Sequence, residues 1–187
     1  AGDLQGNVWK FDVTGNATSG TLLFTATNGA NQKQPITSPI EIGAPPSGQN
    51  GVMLYFGTGR FYANGDNLQV ENDKIQSFYG IHDSFPNKVT AFGRSALTQQ
   101  QITFEGTNPN SNHMDTEIRL VSNVAVDYKK KNGWYLDLIY NNVKKGERVV
   151  SAPLLRFGRV IFTTLIPSTD PCDFGGDSWL MELDAIS

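Results

Sequence analysis

Residues 149–185 read VVSAPLLRFGRVIFTTLIPSTDPCDFGGDSWLMELDA and hold two apolar runs, a loop with the single cysteine, and a closing run that ends in Asp184. The runs are short, rich in β-branched and aromatic residues, and separated by glycine and proline, which favours strands over helices. A proline such as the one in the first run is tolerated at the start or the edge of a strand. This stretch therefore predicts three successive strands of one sheet.

The same order of strands occurs earlier in the chain. ITSPIEI (36–42) and VMLYFGTG (52–59) precede SFYGIHD (77–83), as VVSAPLL and VIFTTLIP precede SWLMELD (178–184). A further copy of the closing strand is NVWKFDV (7–13). The copies share an aspartate at or near their end: Asp12, Asp83 and Asp184. A repeat of about 40–50 residues with four short strands has the size of a β-propeller blade, and loops of unequal length between matching strands are tolerated.

The remaining apolar segments complete an all-β prediction. Further strands are predicted at TLLFTAT (21–27), QQITFEG (100–106), EIRLVSNVAVDY (117–128) and GWYLDLIY (133–140). KKKNG (129–133) is predicted as a hairpin turn between the last two of them. No segment shows the apolar stripe of a helix. We expect residues 1–187 to form part of a single β-propeller domain of about two to three blades, interrupted by a long insertion at about 85–131.

The predicted blades are too few to close a ring. AGDLQGN (1–7) is predicted as a turn between two inner strands, so that the first blade starts part-way, and an outer strand is still lacking after Asp184. A propeller needs at least about four blades. We therefore expect the chain to be part of a larger protein, or its sheets to be completed by segments outside it.

Composition argues against two kinds of partner. The formal net charge is -3 and the pI is about 5.3, so the chain lacks the basic balance expected of a nucleic-acid-binding protein. No apolar run has the length of a membrane-spanning helix. The single cysteine, Cys172, cannot form a disulfide within the chain, and a buried thiol is the favoured interpretation over a bond to a partner.

Several phrases in order carry a family resemblance: AGDLQGNVWKFDV, LYFGTGRFY, QSFYGIHD, GWYLDL, GERVVSAPLL and IPSTDPCDFGGDSWLMELDA. Together they resemble the C-terminal region of the type IV pilus tip-associated biogenesis and adhesion proteins, the PilC/PilY family. The resemblance runs from residue 1 to 187 and is weakest over 85–131. It implies a quinoprotein-like β-propeller on a large secreted protein at the pilus tip or outer membrane surface of a Gram-negative bacterium.

The resemblance also implies a function. Such a protein promotes pilus extension against retraction, with minor pilins and the assembly machinery as partners, and it attaches to host cells or abiotic surfaces. The family is known for a regulatory calcium-binding loop of EF-hand type, which is expected upstream of Ala1. No cofactor is therefore assigned to this chain. The alternatives are a quinone-dependent dehydrogenase-like propeller enzyme and a sugar-binding propeller.

Two polar segments are weak candidates for a metal site. NGDNLQVEND (64–73) offers oxygen ligands without the D-x-[DN]-x-[DN]-G spacing of an EF-hand, and a solvated loop is the favoured interpretation. Its possible ligands are Asp66, Asn67, Glu71 and Asp73. HMDTE (113–117) would place His113, Asp115 and Glu117 on one face of a strand, where they could hold a transition metal. An exposed turn is the simpler interpretation, and no metal ligand is assigned.

No catalytic residue is predicted. The repeated aspartates are expected to accept hydrogen bonds from backbone N–H groups of the turns that follow them. No Ser-His-Asp order, nucleophile elbow, P-loop or HExxH motif is present, which favours a non-enzyme. His82 is expected on the solvent side of its strand.

The remaining charged and aromatic residues are given structural roles. Lys129–Lys131 with Lys144, Lys145 and Arg148 could form a basic patch that docks an acidic partner, but solvated turns are favoured. The three tryptophans, Trp9, Trp134 and Trp179, are predicted to pack between blades. Truncation of Trp179 to alanine is accordingly expected to abolish function by unfolding the domain.

Overall fold

The computed structural model describes residues 1–14, 20–68, 74–85, 90–108, 117–168, 170 and 176–187. Within these ranges the chain forms β-strands and one short 3-10 helix, Arg94–Ala96, which confirms the all-β prediction. The strands are β1 (Asn7–Lys10), β2 (Thr21–Thr25), β3 (Glu41–Gly43), β4 (Val52–Gly57), β5 (Ser77–Asp83), β6 (Phe92–Gly93), β7 (Thr98–Gln100), β8 (Ile102–Thr107), β9 (Glu117–Val121), β10 (Gly133–Asp137), β11 (Leu154–Arg156), β12 (Arg159–Thr163) and β13 (Leu180–Asp184).

The described strands form three larger sheets and a separate hairpin. The N-terminal sheet has the order β1-β2-β6, the central sheet β3-β4-β5-β10-β7, and the C-terminal sheet β11-β12-β13, while β8 pairs with β9. Both β3-β4-β5 and β11-β12-β13 are antiparallel meanders. The repeated order of strands in the sequence is thus confirmed. Pro39 and Pro153 each lie just before a strand at the edge of its sheet, where a missing N–H is tolerated.

A tight turn joins residues 1–3 to β1, as predicted for AGDLQGN. Gly2 and Val8 form an antiparallel bridge, and the Asp3 carboxylate accepts the N–H groups of Gln5 and Asn7 at 2.8 and 2.9 Å. Gly6 has a φ of +76°, and a Cβ there would approach the Ala26 carbonyl oxygen to 2.7 Å. Only glycine therefore fits this turn without strain.

The predicted hairpin at KKKNG is wrong. β9 pairs with β8, whereas β10 pairs antiparallel with β5 and parallel with β7. The segment predicted as one long strand, 117–128, ends as a strand at Val121. Beyond Val121, the buried side chain of Gln100 hydrogen-bonds the backbone. Its Oε1 accepts the Val124 N–H at 2.9 Å, and its Nε2 donates to the Val124 carbonyl at 2.7 Å. The stretch predicted as an insertion, 85–131, holds β6 to β9, of which β6 and β7 pair with strands outside it.

Among the described residues, the core consists of two apolar clusters, one on each face of the central sheet. The first lies between the central and C-terminal sheets, where the rings of Phe78 and Phe162 stack at 3.8 Å between centroids. The second lies between the central and N-terminal sheets, where Tyr79 packs edge-on against Phe24 at 5.2 Å. Adjacent residues of β5 thus point into different clusters, as the two-residue period of a strand requires.

Trp134 lies fully buried between the central and C-terminal sheets, as predicted. Its indole covers Gly80, its direct partner on β5, and a Cβ at Gly80 would lie 2.6 Å from the ring. Its Nε1 donates to the Ala185 carbonyl at 3.1 Å, and the Tyr55 hydroxyl donates to the same oxygen at 2.9 Å. The segment after β13 is therefore attached to the central sheet by two buried hydrogen bonds.

The other two tryptophans are only half buried. Trp9 donates its indole N–H to Asp3 at 2.8 Å and belongs to neither apolar cluster. Trp179 packs against the rim of the first cluster. The tryptophan whose loss should unfold the domain is therefore Trp134 rather than Trp179.

Trp134→Ala is expected to lower the free energy of unfolding by about 3–5 kcal/mol, since it removes a large, fully buried side chain and one of the two hydrogen bonds to the buried Ala185 carbonyl. Trp179→Ala should cost clearly less, because part of that ring is already in water. Denaturant unfolding followed by circular dichroism compares the two variants. Equal losses would contradict the assignment.

Candidate functional site

The three repeated aspartates do not share one structural role. Asp12 accepts the Thr14 N–H at 2.9 Å, and Asp184 accepts the Ile186 N–H at 2.9 Å. Both therefore bond the turn that follows them, as predicted. Asp83 instead bonds the Lys10 side chain at 2.7 Å, across to the N-terminal sheet. Asp83 lies on the same face of β5 as Tyr79, which points toward the N-terminal sheet. Asp184 lies on the face of β13 opposite to Met181, which points toward the central sheet. The two aspartates therefore do not occupy equivalent positions.

His82 is buried, and its predicted place on the solvent side is wrong. All of β5 is buried, because it carries strands on both edges and a sheet on each face. The His82 Nε2 lies 2.8 Å from the Asn50 carbonyl oxygen, and the ring meets Tyr128 edge-on at 5.8 Å. The imidazole thus makes a backbone contact rather than activating a hydroxyl or thiol.

An apolar cavity lies between the N-terminal sheet and the near edge of the central sheet. It measures about 480 Å³, and the Lys10–Asp83 ion pair lies on its wall. One carboxylate oxygen of Asp83, Oδ1, is buried without a hydrogen-bond partner. The apolar lining includes Val8, Leu23, Ile40, Ile42, Val52 and Leu54. Such a cavity can hold an apolar group.

A buried charge cluster attaches the β8–β9 hairpin to the rest of the molecule. The Arg119 side chain, only 2% exposed, donates to Glu147 at 2.6 Å and to Glu105 at 2.5 Å. Its guanidinium stacks on the Trp179 ring at 4.4 Å, and Lys145 donates to Glu105 at 2.6 Å. Burial alone would raise the pKa of Glu105, but the hydrogen bonds from Lys145 and Arg119 outweigh it and leave that pKa lowered. The Glu105 carboxylate is therefore held ionised.

The basic patch, which was the less favoured alternative to solvated turns, does not exist as a continuous surface. Arg148 is buried and donates to the carbonyl oxygens of Arg60 and Asp66, at 2.9 and 2.7 Å. Lys145 is neutralised by Glu105. Lys129 and Lys130 do lie on an exposed turn, which agrees with the solvated-turn interpretation. Lys131 is half buried and donates to the Ser95 carbonyl at 2.8 Å.

Two of the weak metal candidates, Asp66 and Glu117, lie in the described part of the chain. The others lie outside it: Glu71, Asp73, His113 and Asp115. Cys172 also lies outside the described residues. Glu117 is the exposed first residue of β9. Among the described residues, no group of three or more His, Cys, Asp or Glu side chains could hold a metal ion.

Asp66 caps backbone N–H groups of its own loop. Its Oδ1 accepts Arg60 Nε at 2.8 Å, and its Oδ2 accepts the N–H groups of Tyr62 and Ala63 at 3.1 and 2.9 Å. Burial would raise the pKa of Asp66, yet the two backbone N–H groups and the Arg60 charge leave it lowered. Both oxygens of this carboxylate thus already accept hydrogen bonds.

No protein-family model matches the chain. A type IV pilus biogenesis factor PilY1 homolog from Xylella fastidiosa is 36% identical over an alignment of 201 positions that covers 99% of this chain. The type IV pilus biogenesis factor PilY1 of Pseudomonas aeruginosa strain UCBPP-PA14 is 31% identical over 98% of the chain. The chain belongs to the PilC/PilY family.

The crystal structure of the Pseudomonas aeruginosa PilY1 C-terminal domain has the same fold. It superposes with a TM-score of 0.83 at 24% identity and covers 98% of this chain. The chain spans 42% of that domain's chain, and 13% and 19% of the two PilY1 relatives. Those relatives are named as pilus biogenesis factors and not as enzymes. None of the helices described is long and apolar enough to cross a membrane.

Sequence reasoning missed the buried polar network of this PilC/PilY chain. Arg94 makes a two-pronged contact with Asp137, with Nη1 2.8 Å from Oδ1, and stacks on the Tyr135 ring at 3.9 Å. Gln34 accepts the Tyr79 hydroxyl at 2.5 Å. Arg94 and Asp137 are 43 residues apart, so no local pattern could have paired them.

Asp66→Asn removes a buried charge from three donors and should cost about 1–3 kcal/mol of unfolding free energy. The loss should be the same in calcium and in EDTA, because the carboxylate serves the loop. Thermal unfolding under both conditions tests this, with exposed Glu117→Gln as the matched control. A calcium-dependent gain in the parent protein that Asp66→Asn abolishes would make Asp66 a metal ligand.

Arg119→Met should destabilise the protein by about 3–5 kcal/mol at neutral pH, because it leaves two carboxylates without their buried cation. The folded-state pKa of Glu105 lies below its ordinary 4.5, so its contribution is present above that pH and is lost as pH falls through the lowered pKa. The difference between parent and variant should therefore shrink in acid.

Urea unfolding between pH 3 and pH 7 measures this difference. The control is Lys130→Met, which removes an exposed lysine whose partner Asp127 is also exposed. A loss for Arg119→Met no larger than that of the control would show that the cluster contributes nothing.

Proposed function

We propose that this chain is part of a type IV pilus biogenesis factor that promotes pilus extension against retraction. The observation that carries the proposal is the match to PilY1 proteins over 98–100% of the chain, at up to 36% identity. Because the chain spans less than a fifth of these relatives, the role belongs to the longer protein. This part would supply a rigid binding surface within it.

The proposed mechanism is binding without catalysis. A protein that binds the assembling state more tightly than the retracting state shifts the balance by its differential affinity. The described part of the chain suits such a role, because its buried charges fix the sheets and the hairpin in one arrangement. Its partners would be minor pilins and the assembly machinery.

The three larger sheets are proposed to be consecutive blades of a quinoprotein-like β-propeller. Two of them are meanders of the same order, and in the third, residues 1–3, β1 and β2 pair in sequence. The sheets also pack face to face in chain order, with an apolar cluster in each of the two gaps. This stacking is what the side-by-side blades of a propeller require.

The proposal also covers where the longer protein lies, what it attaches to and where it binds calcium. The longer protein would lie at the pilus tip or the outer membrane surface of a Gram-negative bacterium and attach to host or abiotic surfaces. Calcium would bind at a loop upstream of Ala1. The support for these points is the family resemblance, and a calcium-dependent rise in the melting temperature of the longer protein would test the last.

The first experiment counts surface pili after deletion of the gene, with and without the retraction motor. Pili should be lost in the first strain and return in the second, as an assembly factor opposing retraction requires. Complementation with Trp134→Ala should fail, whereas Phe157→Ala, at a ring that is 90% exposed, should restore pili. Normal piliation in both deletion strains would overturn the assembly role.

A further inference from the structure

The apolar cavity between the N-terminal and central sheets has the size of a small-molecule site. Its volume is about 480 Å³, and β1, β2, β3 and β4 supply most of its aliphatic lining. An apolar cavity of about 150 Å³ is already large enough to take up benzene. The cavity reaches solvent beside Ile42, which is 62% exposed. Its size and lining suit a guest with a flexible aliphatic chain.

A buried polar group on the cavity wall is only partly hydrogen-bonded. The Asp83 side chain is 5% exposed, and its Oδ2 accepts Lys10 Nζ at 2.7 Å. Its Oδ1 is buried and has no hydrogen-bond partner among the described residues. β5 carries β4 and β10 along its edges, and Asp83 lies on the face toward the N-terminal sheet, so a donor would approach this oxygen from the cavity side. A buried acceptor of this kind costs free energy until a donor reaches it.

Lys10 places a donor next to that acceptor. Its ammonium carries three N–H groups, of which Asp83 takes one, and its side chain is 43% exposed. The Lys10–Asp83 pair therefore offers a donor and an acceptor side by side on the wall of an apolar space. A primary amide has the complementary arrangement, because its carbonyl oxygen and one of its N–H groups lie side by side. The opposite charges of the pair also cancel, which favours a neutral head group.

Water alone does not match this cavity. A buried water typically makes about three hydrogen bonds to polar groups. Away from the ion pair the lining is mainly aliphatic, with side chains such as Val8, Leu23 and Leu54. A water bonded to Asp83 leaves most of the volume lined by groups that offer it no hydrogen bond.

We propose that this cavity binds a neutral aliphatic compound whose head group carries an N–H donor beside a carbonyl acceptor. The head N–H donates to Asp83 Oδ1, the head carbonyl accepts Lys10 Nζ, and the chain lies among the aliphatic side chains. Because the guest contacts two sheets, its binding stabilises their packing and raises the melting temperature of the protein. This inference is independent of the pilus role.

Equilibrium dialysis of the longer native protein against two probes tests the proposal. Octanamide carries the N–H groups, and 2-nonanone is its near-isosteric analogue with a methyl group in place of the NH₂. Octanamide should bind at least about 10-fold more tightly, because the ketone cannot make the hydrogen bond to the carboxylate. Simple partition into an apolar space would favour the less polar ketone instead. Equal or tighter binding of 2-nonanone, or no saturable binding of either probe, would overturn the inference.

The charge of the head group gives a second readout on the same protein. Octanoate places a carboxylate against Asp83 Oδ1, and octylammonium places a cation against Lys10 Nζ. Each ion should bind at least about 10-fold more weakly than octanamide at neutral pH, because it meets a like charge on the cavity wall. Tighter binding of either ion than of octanamide would overturn the neutral head group.

A pair of variants tests where octanamide binds. Ile42→Trp enlarges an exposed side chain on the cavity wall and should weaken octanamide binding by at least about 10-fold, because the new ring fills part of the space. The matched control, Leu154→Trp, enlarges an exposed residue of β11, the corresponding strand of the C-terminal sheet, and should leave binding unchanged. Circular dichroism confirms that both variants are folded. Equal affinities in the two variants would place octanamide elsewhere and overturn the assignment.

Asp83→Leu separates the head group from the chain. It removes the acceptor and keeps a side chain of similar size, so octanamide should lose its advantage over 2-nonanone while the ketone still binds. A preference for octanamide that persists in this variant would overturn the role given to Asp83. The two probes on the parent protein and the Ile42→Trp pair decide the proposal even where Asp83→Leu does not fold.

Discussion

Strand β5 is shielded from water along both edges and on both faces. Its two edges are occupied by β4 and β10, and its two faces are covered by the C-terminal and N-terminal sheets. Phe78 and Tyr79 anchor a cluster on each face, so a change of register by one residue would exchange them. The positions of the three sheets relative to one another therefore depend on this one strand.

Full burial also explains where sequence reasoning succeeded and where it failed. Short apolar runs with turn residues between them were enough to predict the strands and the repeated meander. The same reasoning placed His82 in solvent, because a strand buried on both faces shows no polar and apolar alternation from which its environment could be read. The partner of β10 was missed because β5 lies some 50 residues earlier, and the lysine-rich turn next to β10 mimics a hairpin.

The charged residues show a second limit of local patterns. Arg148 was grouped with lysines near it in sequence, yet it is buried and bonds carbonyl oxygens. Arg119 bonds Glu105 and Glu147, which lie 14 and 28 residues away. Buried charges are tolerated only with partners in good geometry, so each such group restricts how the hairpin and the sheets can be arranged. Which partners meet is decided by the tertiary fold.

The carbonyl of Ala185 has a consequence for the order of folding. It accepts the buried donors of both Trp134 and Tyr55, which belong to the central sheet. A nascent chain that has emerged only as far as β10 therefore carries two polar groups whose intended acceptor has not yet been synthesised. Such groups oppose burial until they are paired. The gap between the central and C-terminal sheets should thus close late, after the ribosome has added the segment that follows β13.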